Sequence, residues 1–303
     1  SQYGTPFGMA HFECAAAGSG ALAIKDGLDT AYVGWNPESD MGNIEIWEQN
    51  MPMLYIGRSI VPNSGGAGKY RGGCSFLSTW LISKTDHLRL VTSEHSSRVF
   101  DNGGLCGGYP APTCQKHRAV RDSNIFELAG KGEPLPHHTG TNPHRSELEI
   151  RLEGEQVTVE GPYITAPHKT GDVFTHSYNG GGGYGDVLER DPVKTAWDVE
   201  NGFLTPEAAE GVFGIVLDED AEGFPVANLE ATKRHRAEMR AARLARAKPV
   251  SDWIASERER VRAADFAPEV KKMYASAIRL SPRFTRDFSD FWGVDGKAAF
   301  GVE

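Results

Sequence analysis

The chain has 303 residues, 39% hydrophobic and 24% charged, with a formal net charge of −9. That balance suits a globular protein of one large domain or two ordinary ones, and a nucleic-acid binder would more often be basic. No run of about 18 apolar residues is present, so no membrane span is expected, and the opening SQYGTPFGMAHFECAAAGSG has no basic stretch ahead of an apolar core, as a signal peptide would.

That opening also lacks an initiator Met and runs straight into strand-like sequence. It reads as a processed or truncated start, or as the continuation of an upstream half. Residues 1–115 are β-rich in pattern, with short apolar runs separated by Gly, Asn, Asp and Pro. FLSTWLIS and LRLVTSEH are strand-like, and KTDH between them predicts a hairpin. The glycine pairs Gly65-Gly66, Gly72-Gly73 and Gly103-Gly104 imply backbones packed close together, or positions with φ > 0. PNSGGAGKYRGG invites comparison with a phosphate loop. It has Tyr70 where Ser or Thr should follow Lys69, and Asn63 where the first glycine should stand, so it reads as a turn with an exposed Lys-Tyr-Arg tip.

In TSEHSSRVFDNGGLCGGYPAP, Glu94, His95, Arg98 and Asp101 fall at a predicted strand end beside a glycine-rich loop. His95 among carboxylates suits a general base or a ligand, and Arg98 suits a bidentate pair with a carboxylate, bicarbonate or phosphate. A local ion-pair network that fixes the loop explains the same residues. The four cysteines, Cys14, Cys74, Cys106 and Cys114, form no CxxC pair. They read as reduced thiols, with Cys114/His117 a weak metal pair. His137, His138 and His144 read as loop histidines without a ligand spacing.

QKHRAVRDSNIFELAGKG holds a short helix or a strand–helix transition, and ELEIRLEGEQVTVEGPYITAP alternates as half-buried strands do. Next comes THSYNGGGGYGDVLERDP, in which His176, Asn179, Tyr184 and Asp186 flank Gly180–Gly183. An anion nest and a side-chain-free turn that crowds the flanking residues together both fit. DPVKTAWDVENGFLTPEAAEGVFGIVL reads as helix, turn, helix, strand, with Pro192 in a first helical turn and Thr205 an N-cap before Pro206. From about Asn228 the chain turns helical. Ala231–Lys248 carries seven Lys/Arg against one Glu, leaving −15 for the rest once its +6 is taken from −9. This is a solvated helix face, or one that docks on an acidic neighbour. Ser251 is expected to cap the next helix. Trp253, Tyr274, Phe284, Phe288, Phe291 and Trp292 are expected to pack on the core or on another subunit.

The expected fold class is α+β: a β-rich, glycine-punctuated core over 1–225, then a helical extension over 226–303. No Rossmann fingerprint and no GxSxG elbow is present.

WNPESDMGNIEIWEQNMPMLYIGRSIVPNSGGAGKYRGG, TSEHSSRVFDNGGLCGGYPAPT, HSYNGGGGYGDVLERDP and DVENGFLTPEAAEGVFGIVL together resemble the hydantoinase B/oxoprolinase family. AKPVSDWIASERERV and the later FWG resemble its ATP-dependent ketone carboxylases, the acetone-using ones first and the acetophenone-using ones next. The resemblance spans nearly the whole chain but corresponds to a C-terminal portion of such proteins. It implies a cytoplasmic complex in which a hydantoinase A-like subunit carries ATP and Mg. The other partners are the N-terminal half of the hydantoinase B-like subunit and a small third subunit. Mn or another divalent metal is expected in the half outside this chain, and no metal within it. Bicarbonate and a ketone enolate would combine to a β-keto acid, acetone giving acetoacetate. The expected catalytic residues are His95, Arg98, Asp101, His176 and Asp186. ATP-dependent cyclic-amide hydrolysis, and a non-catalytic assembly role, are the alternatives.

Overall fold

The structure, a computed structural model, describes residues 4–6, 8, 17–31, 43–92, 102–112, 116–136, 151–159, 163–164 and 167–302. The chain divides into two compact units, Ser1–Ala237 and Glu238–Glu303.

The first unit opens with α1 (Ile44–Asn50), which begins at Asn43 because the Asn43 side chain accepts from the amides of Glu45 and Ile46. β1 (Met53–Ile60), β2 (Phe76–Ile82), β3 (Val91–Thr92) and β4 (Lys116–Arg121) follow, then α2 (Ile125–Gly130). β5 (Glu155–Val159), β6 (Tyr163–Ile164) and β7 (Val173–Ser177) come next. After a 3-10 turn at Val187–Glu189 come α3 (Pro192–Glu200), α4 (Pro206–Gly211), β8 (Leu217–Glu219) and β9 (Pro225–Ala227).

Five strands form one antiparallel sheet in the order β1-β2-β7-β4-β5. β2 and β7 are buried along their whole length, which is why FLSTWLI and VFTHS lack a polar-out alternation. Alternate residues still face opposite sides. Leu81 and Val173 join Val120, Ile125, Leu128 and Leu152 in one cluster, whereas Trp80 and Ile82 join Met53 in another.

The expected hairpin between FLSTWLIS and LRLVTSEH is not formed. β2 is already bonded to β1 on one edge and β7 on the other, so no edge is free for the returning chain. Lys84, at φ 57°, redirects the backbone. Leu88 then bridges His168, and β3 pairs with β6 instead. The later expectations hold. β4 leads into α2, Pro192 and Pro206 each stand in the first turn of a helix, and the Thr205 hydroxyl accepts from the Ala208 amide at 3.3 Å.

The helix α5 (Leu229–Arg246) is followed by α6 (Val250–Arg262), α7 (Pro268–Leu280), α8 (Pro282–Trp292) and α9 (Gly296–Phe300). Ser251 does not cap α6. The helix already starts at Val250, after Pro249, and the Ser251 hydroxyl bonds the Asp252 carboxylate at 3.2 Å. Ser281 does cap α8, accepting from Phe284 N at 3.1 Å, and Gly293 at φ 61° ends it. Within the second unit Val261, Phe288 and Val294 form a small core with Phe266, Tyr274, Phe284, Trp292 and Phe300 around it. Four of the six expected aromatic anchors therefore pack on one another, while Trp253 and Phe291 are exposed.

Candidate functional site

The glycine run after β7 is an extended strut. Gly180 lies against Ser64 and Gly65, Gly181 against Ser19 and Gly20, Gly182 against Gly103, and Gly183 against Ala67 and Gly66. The neighbour met at Gly180 returns at Gly183, which is the three-residue repeat of a polyproline-II-type helix. Such a backbone makes no hydrogen bonds within itself and must bond to its neighbours. Gly181 N donates to Gly73 O at 3.0 Å, Gly183 N to Tyr109 O at 2.9 Å, and Gly66 N to Gly181 O at 2.8 Å. Ala21 N donates to Gly182 O and Leu105 N to Gly183 O, both at 2.9 Å.

The packing explains why these positions are glycine. A Cβ on Gly180, Gly181, Gly182 or Gly183 would lie 1.8–2.2 Å from a backbone oxygen of the facing segment. None of the four has positive φ. Close approach, the first of the two alternatives read from the glycine pairs, is the operative one at Gly65, Gly66, Gly72, Gly73 and Gly104 as well.

One reading of the run changes. The amides of Gly181 and Gly183 already bond carbonyls, so they cradle no anion.

Beside the glycine segments lies a buried ion network that the sequence reading missed. Arg71 Nε and Nη2 donate to Asp198 at 3.1 and 2.9 Å, and its Nη1 and Nη2 donate to Asp29 at 2.6 and 3.1 Å. Arg190 forks onto Asp26 at 2.8 and 3.0 Å and reaches Asp198 at 2.5 Å. Arg236 donates to the carbonyls of Phe213 and Arg190. Burial alone would raise the Asp26 carboxyl, but Arg190 and then Arg71 outweigh it and hold it below its ordinary value. Burial likewise pushes the Cys74 thiol up to about 11. Arg71 was expected at an exposed loop tip. It is 3% exposed, paired with two carboxylates and set 4.9 Å over the Phe203 ring, and only Lys69 of that tip is exposed. With each carboxylate paired, this network is scaffold. Arg71 joins Asp29 to Asp198 of α3 across separations of 42 and 127 residues, and Arg190 reaches Asp26 across 164, which single-sequence spacing does not reveal.

Of the expected site residues, His95, Arg98 and Asp101 lie outside the described residues, as do Glu94, Cys14, Cys114, His137, His138 and His144. Asn102, next after Asp101, donates from Nδ2 to Gly180 O at 2.8 Å. His176 is buried on β7, opposite Ser78 of β2 and His117 of β4, with its ring 4.3 Å from that of Tyr178. Asp186 caps the 3-10 turn, accepting from Leu188 N at 2.9 Å. A second buried histidine went unnoticed in the sequence. His168 Nδ1 lies 3.3 Å from Asp172 Oδ2, and burial lowers its pKa more than Asp172 raises it.

Among the described residues no group of three or more His, Cys, Asp or Glu is placed to hold a metal ion. Among the same residues no helix is long and apolar enough to cross a membrane.

The sequence profile of the Hydantoinase B/oxoprolinase family matches residues 2–187. The chain is 37% identical over 298 residues to the acetone carboxylase alpha subunit of Xanthobacter autotrophicus, covering 97% of this chain and 38% of that protein. It is 28% identical over 262 residues to the acetophenone carboxylase delta subunit of Aromatoleum aromaticum, covering 84% of this chain and 36% of that one. A nucleotide-free structure of acetone carboxylase superposes with a TM-score of 0.84 at 35% identity, over 94% of this chain and 37% of that chain. The chain thus spans well under half the length of these relatives. The matched profile covers the glycine segments and the whole five-stranded sheet, and the chain belongs to the hydantoinase B/oxoprolinase family.

Proposed function

We propose that this chain forms part of an ATP-dependent ketone carboxylase, with acetone converted to acetoacetate. In this reading bicarbonate is activated by phosphorylation and gives up carbon dioxide. The ketone loses an α-proton, and the enolate carbon forms the new bond to that carbon dioxide. The chemistry needs carbon dioxide shielded from water and the enolate's negative charge stabilised. Rigid glycine segments with no side chains suit the wall of a closed cavity. His95 would serve as the base and Arg98 as the carboxylate or phosphate clamp, with Asp101, His176 and Asp186 beside them.

In this reading the cofactors are held by the partners of this chain. ATP and Mg are assigned to a hydantoinase A-like partner, and Mn or another divalent metal to the remaining half of the hydantoinase B-like subunit. A small third subunit completes the assembly, and the setting is cytoplasmic.

The observation that carries this reading is the extent of the likeness to acetone carboxylase. It reaches 97% of the chain at 37% identity, and so includes helices beyond the family profile's end at residue 187. A likeness to caprolactamase subunit beta of Pseudomonas jessenii, 28% over 65% of the chain, keeps cyclic-amide hydrolysis as the competing reaction. The test uses the complex recovered from the native host through a tag on this chain. With ATP it should consume acetone and bicarbonate and leave hydantoin, 5-oxoproline and caprolactam intact. Turnover of a cyclic amide and none of acetone would replace this reading with the competing one. Unchanged carboxylation after alanine substitution of His95, Arg98, His176 and Asp186 in turn would remove those residues from the mechanism.

A further inference from the structure

The sequence contains three Asn-Gly pairs, Asn102-Gly103, Asn179-Gly180 and Asn201-Gly202. This dipeptide is chemically labile. The glycine amide nitrogen can attack the asparagine side-chain carbon, because no Cβ stands beside that nitrogen to hinder the approach. Attack needs a nitrogen that no acceptor holds, a backbone that can bring it onto the side-chain carbon, and water. The fold meets these needs differently at the three sites.

Asn179-Gly180 is closed. Both residues are buried, Gly18 N donates to Asn179 O at 3.0 Å, and Gly180 is pressed so near Ser64 that a Cβ would lie 1.9 Å from the Ser64 carbonyl oxygen. Asn201-Gly202 is exposed but committed. It follows α3, with Gly202 N donating to Val199 O at 3.1 Å and Asn201 Nδ2 to Trp197 O at 2.9 Å. Asn102-Gly103 is open. Gly103 is exposed, nothing lies within 4 Å of its Cβ position, and among the described residues its N–H has no acceptor. The half-buried Asn102 side chain is held by one bond, from Nδ2 to Gly180 O at 2.8 Å. A single neutral hydrogen bond of this kind slows attack by about tenfold at most.

We propose that Asn102 is a spontaneous modification site, converted to aspartate and isoaspartate in the folded protein, and that this conversion detaches residues 102–104 from the glycine run. Gly103 N bonds to Asn102 Cγ as the Cγ–Nδ2 bond breaks. The Gly103 amide proton passes through water to the leaving nitrogen, and ammonia departs. The five-membered imide then takes up one water. Opening at Cγ gives aspartate. Opening at the main-chain carbonyl carbon gives isoaspartate, with the chain rerouted through Cβ and Cγ. The sum is loss of ammonia and gain of water, with no oxidant or reductant.

Both products act on the glycine strut. The Nδ2 donor to Gly180 O gives way to a carboxylate oxygen, which only accepts and so repels that carbonyl. In isoaspartate the extra backbone methylene also displaces Gly103 O, against which Gly182 is packed. The Asn102 carbonyl, which accepts from Ala111 N at 3.1 Å, becomes a free carboxylate. The hold of this loop on the strut therefore decays with the age of the molecule, and faster as pH rises, because the attacking nitrogen must lose its proton.

The test is peptide mass mapping of the protein, purified from its native host and incubated in mildly alkaline buffer. In the folded protein Asn102 should convert at least about tenfold faster than Asn179 and Asn201, a barrier difference of about 1.4 kcal/mol. In urea the three rates should come together, since only the fold separates them. Gly103→Ala puts its methyl into open space, so it should keep the fold and suppress conversion at Asn102. Asn102→Asp carries one product from the start and should lower the urea midpoint of unfolding. Equal conversion at the three sites in the folded protein, an Asn102 that stays intact, or conversion undiminished by Gly103→Ala would each overturn the proposed site. A urea midpoint unmoved by Asn102→Asp would overturn its consequence for the glycine run.

Discussion

Arg71 and Asp198 meet in a bidentate pair almost without solvent contact, Nε to Oδ2 at 3.1 Å and Nη2 to Oδ1 at 2.9 Å, across 127 residues of sequence. Extended glycine segments have no side chains with which to set their own alignment. Side chains flanking them must do so, and Arg71 with Arg190 provides that anchorage through Asp198, Asp29 and Asp26.

Asp198→Asn keeps the shape and removes a charge that both guanidiniums use. Breaking a buried ion pair from one side costs about 3–5 kcal/mol, because the remaining charge stays buried. Urea unfolding of the purified chain should show a loss of that order. A change below about 1 kcal/mol would mean that the network is solvated or dispensable.

Glycine positions should divide sharply by what faces them. Gly181→Ala puts a methyl 1.8 Å from Ser19 O, and Gly182→Val puts a side chain 2.1 Å from Gly103 O. Both should fail to give soluble, folded protein. Gly103 has nothing within 4 Å of its Cβ position and no positive φ. Gly103→Ala should therefore unfold within about 0.5 kcal/mol of the parent. Equal tolerance at Gly181 and Gly103, read by yield and thermal unfolding, would contradict the close-packed account.

His168 makes stability depend on pH in a defined window. Burial lowers its pKa below 6.5, against the opposing pull of Asp172 and with help from the charge of Arg121. The unfolded chain then binds the proton more readily than the folded one. The stability contribution is fully present above the unfolded value of about 6.5 and is lost as pH falls toward the folded value. His168→Asn should flatten the dependence of unfolding free energy on pH below about 6.5. An unchanged slope would place the effect on another group.

Most local signals in this sequence were legible, although Ser251, read as a cap, stands inside the first turn of α6. Thr205 before Pro206 and the strand–helix transition at Arg121–Ile125 were both readable from adjacent residues. The other failures depended on distance. The hairpin after β2 matched its local pattern, but strands from residues 53–60 and 173–177 had taken both edges. Arg71 looked like a loop-tip cation because the carboxylates that bury it lie 42 and 127 residues away. The glycine run announced that side chains were excluded. Only the partners of each glycine show that the cause is backbone contact on three sides and not a turn. His176 and Asp186 were found as residues, while the surroundings of His95, Arg98 and Asp101 lie outside the described residues.

The most direct test of the functional account is fixation of isotopically labelled bicarbonate by the native complex purified through this chain. With acetone and ATP together, label should appear in acetoacetate. Omitting either should abolish it. Label fixed without acetone, or ATP hydrolysis and cyclic-amide opening with no labelled acetoacetate, would contradict the account.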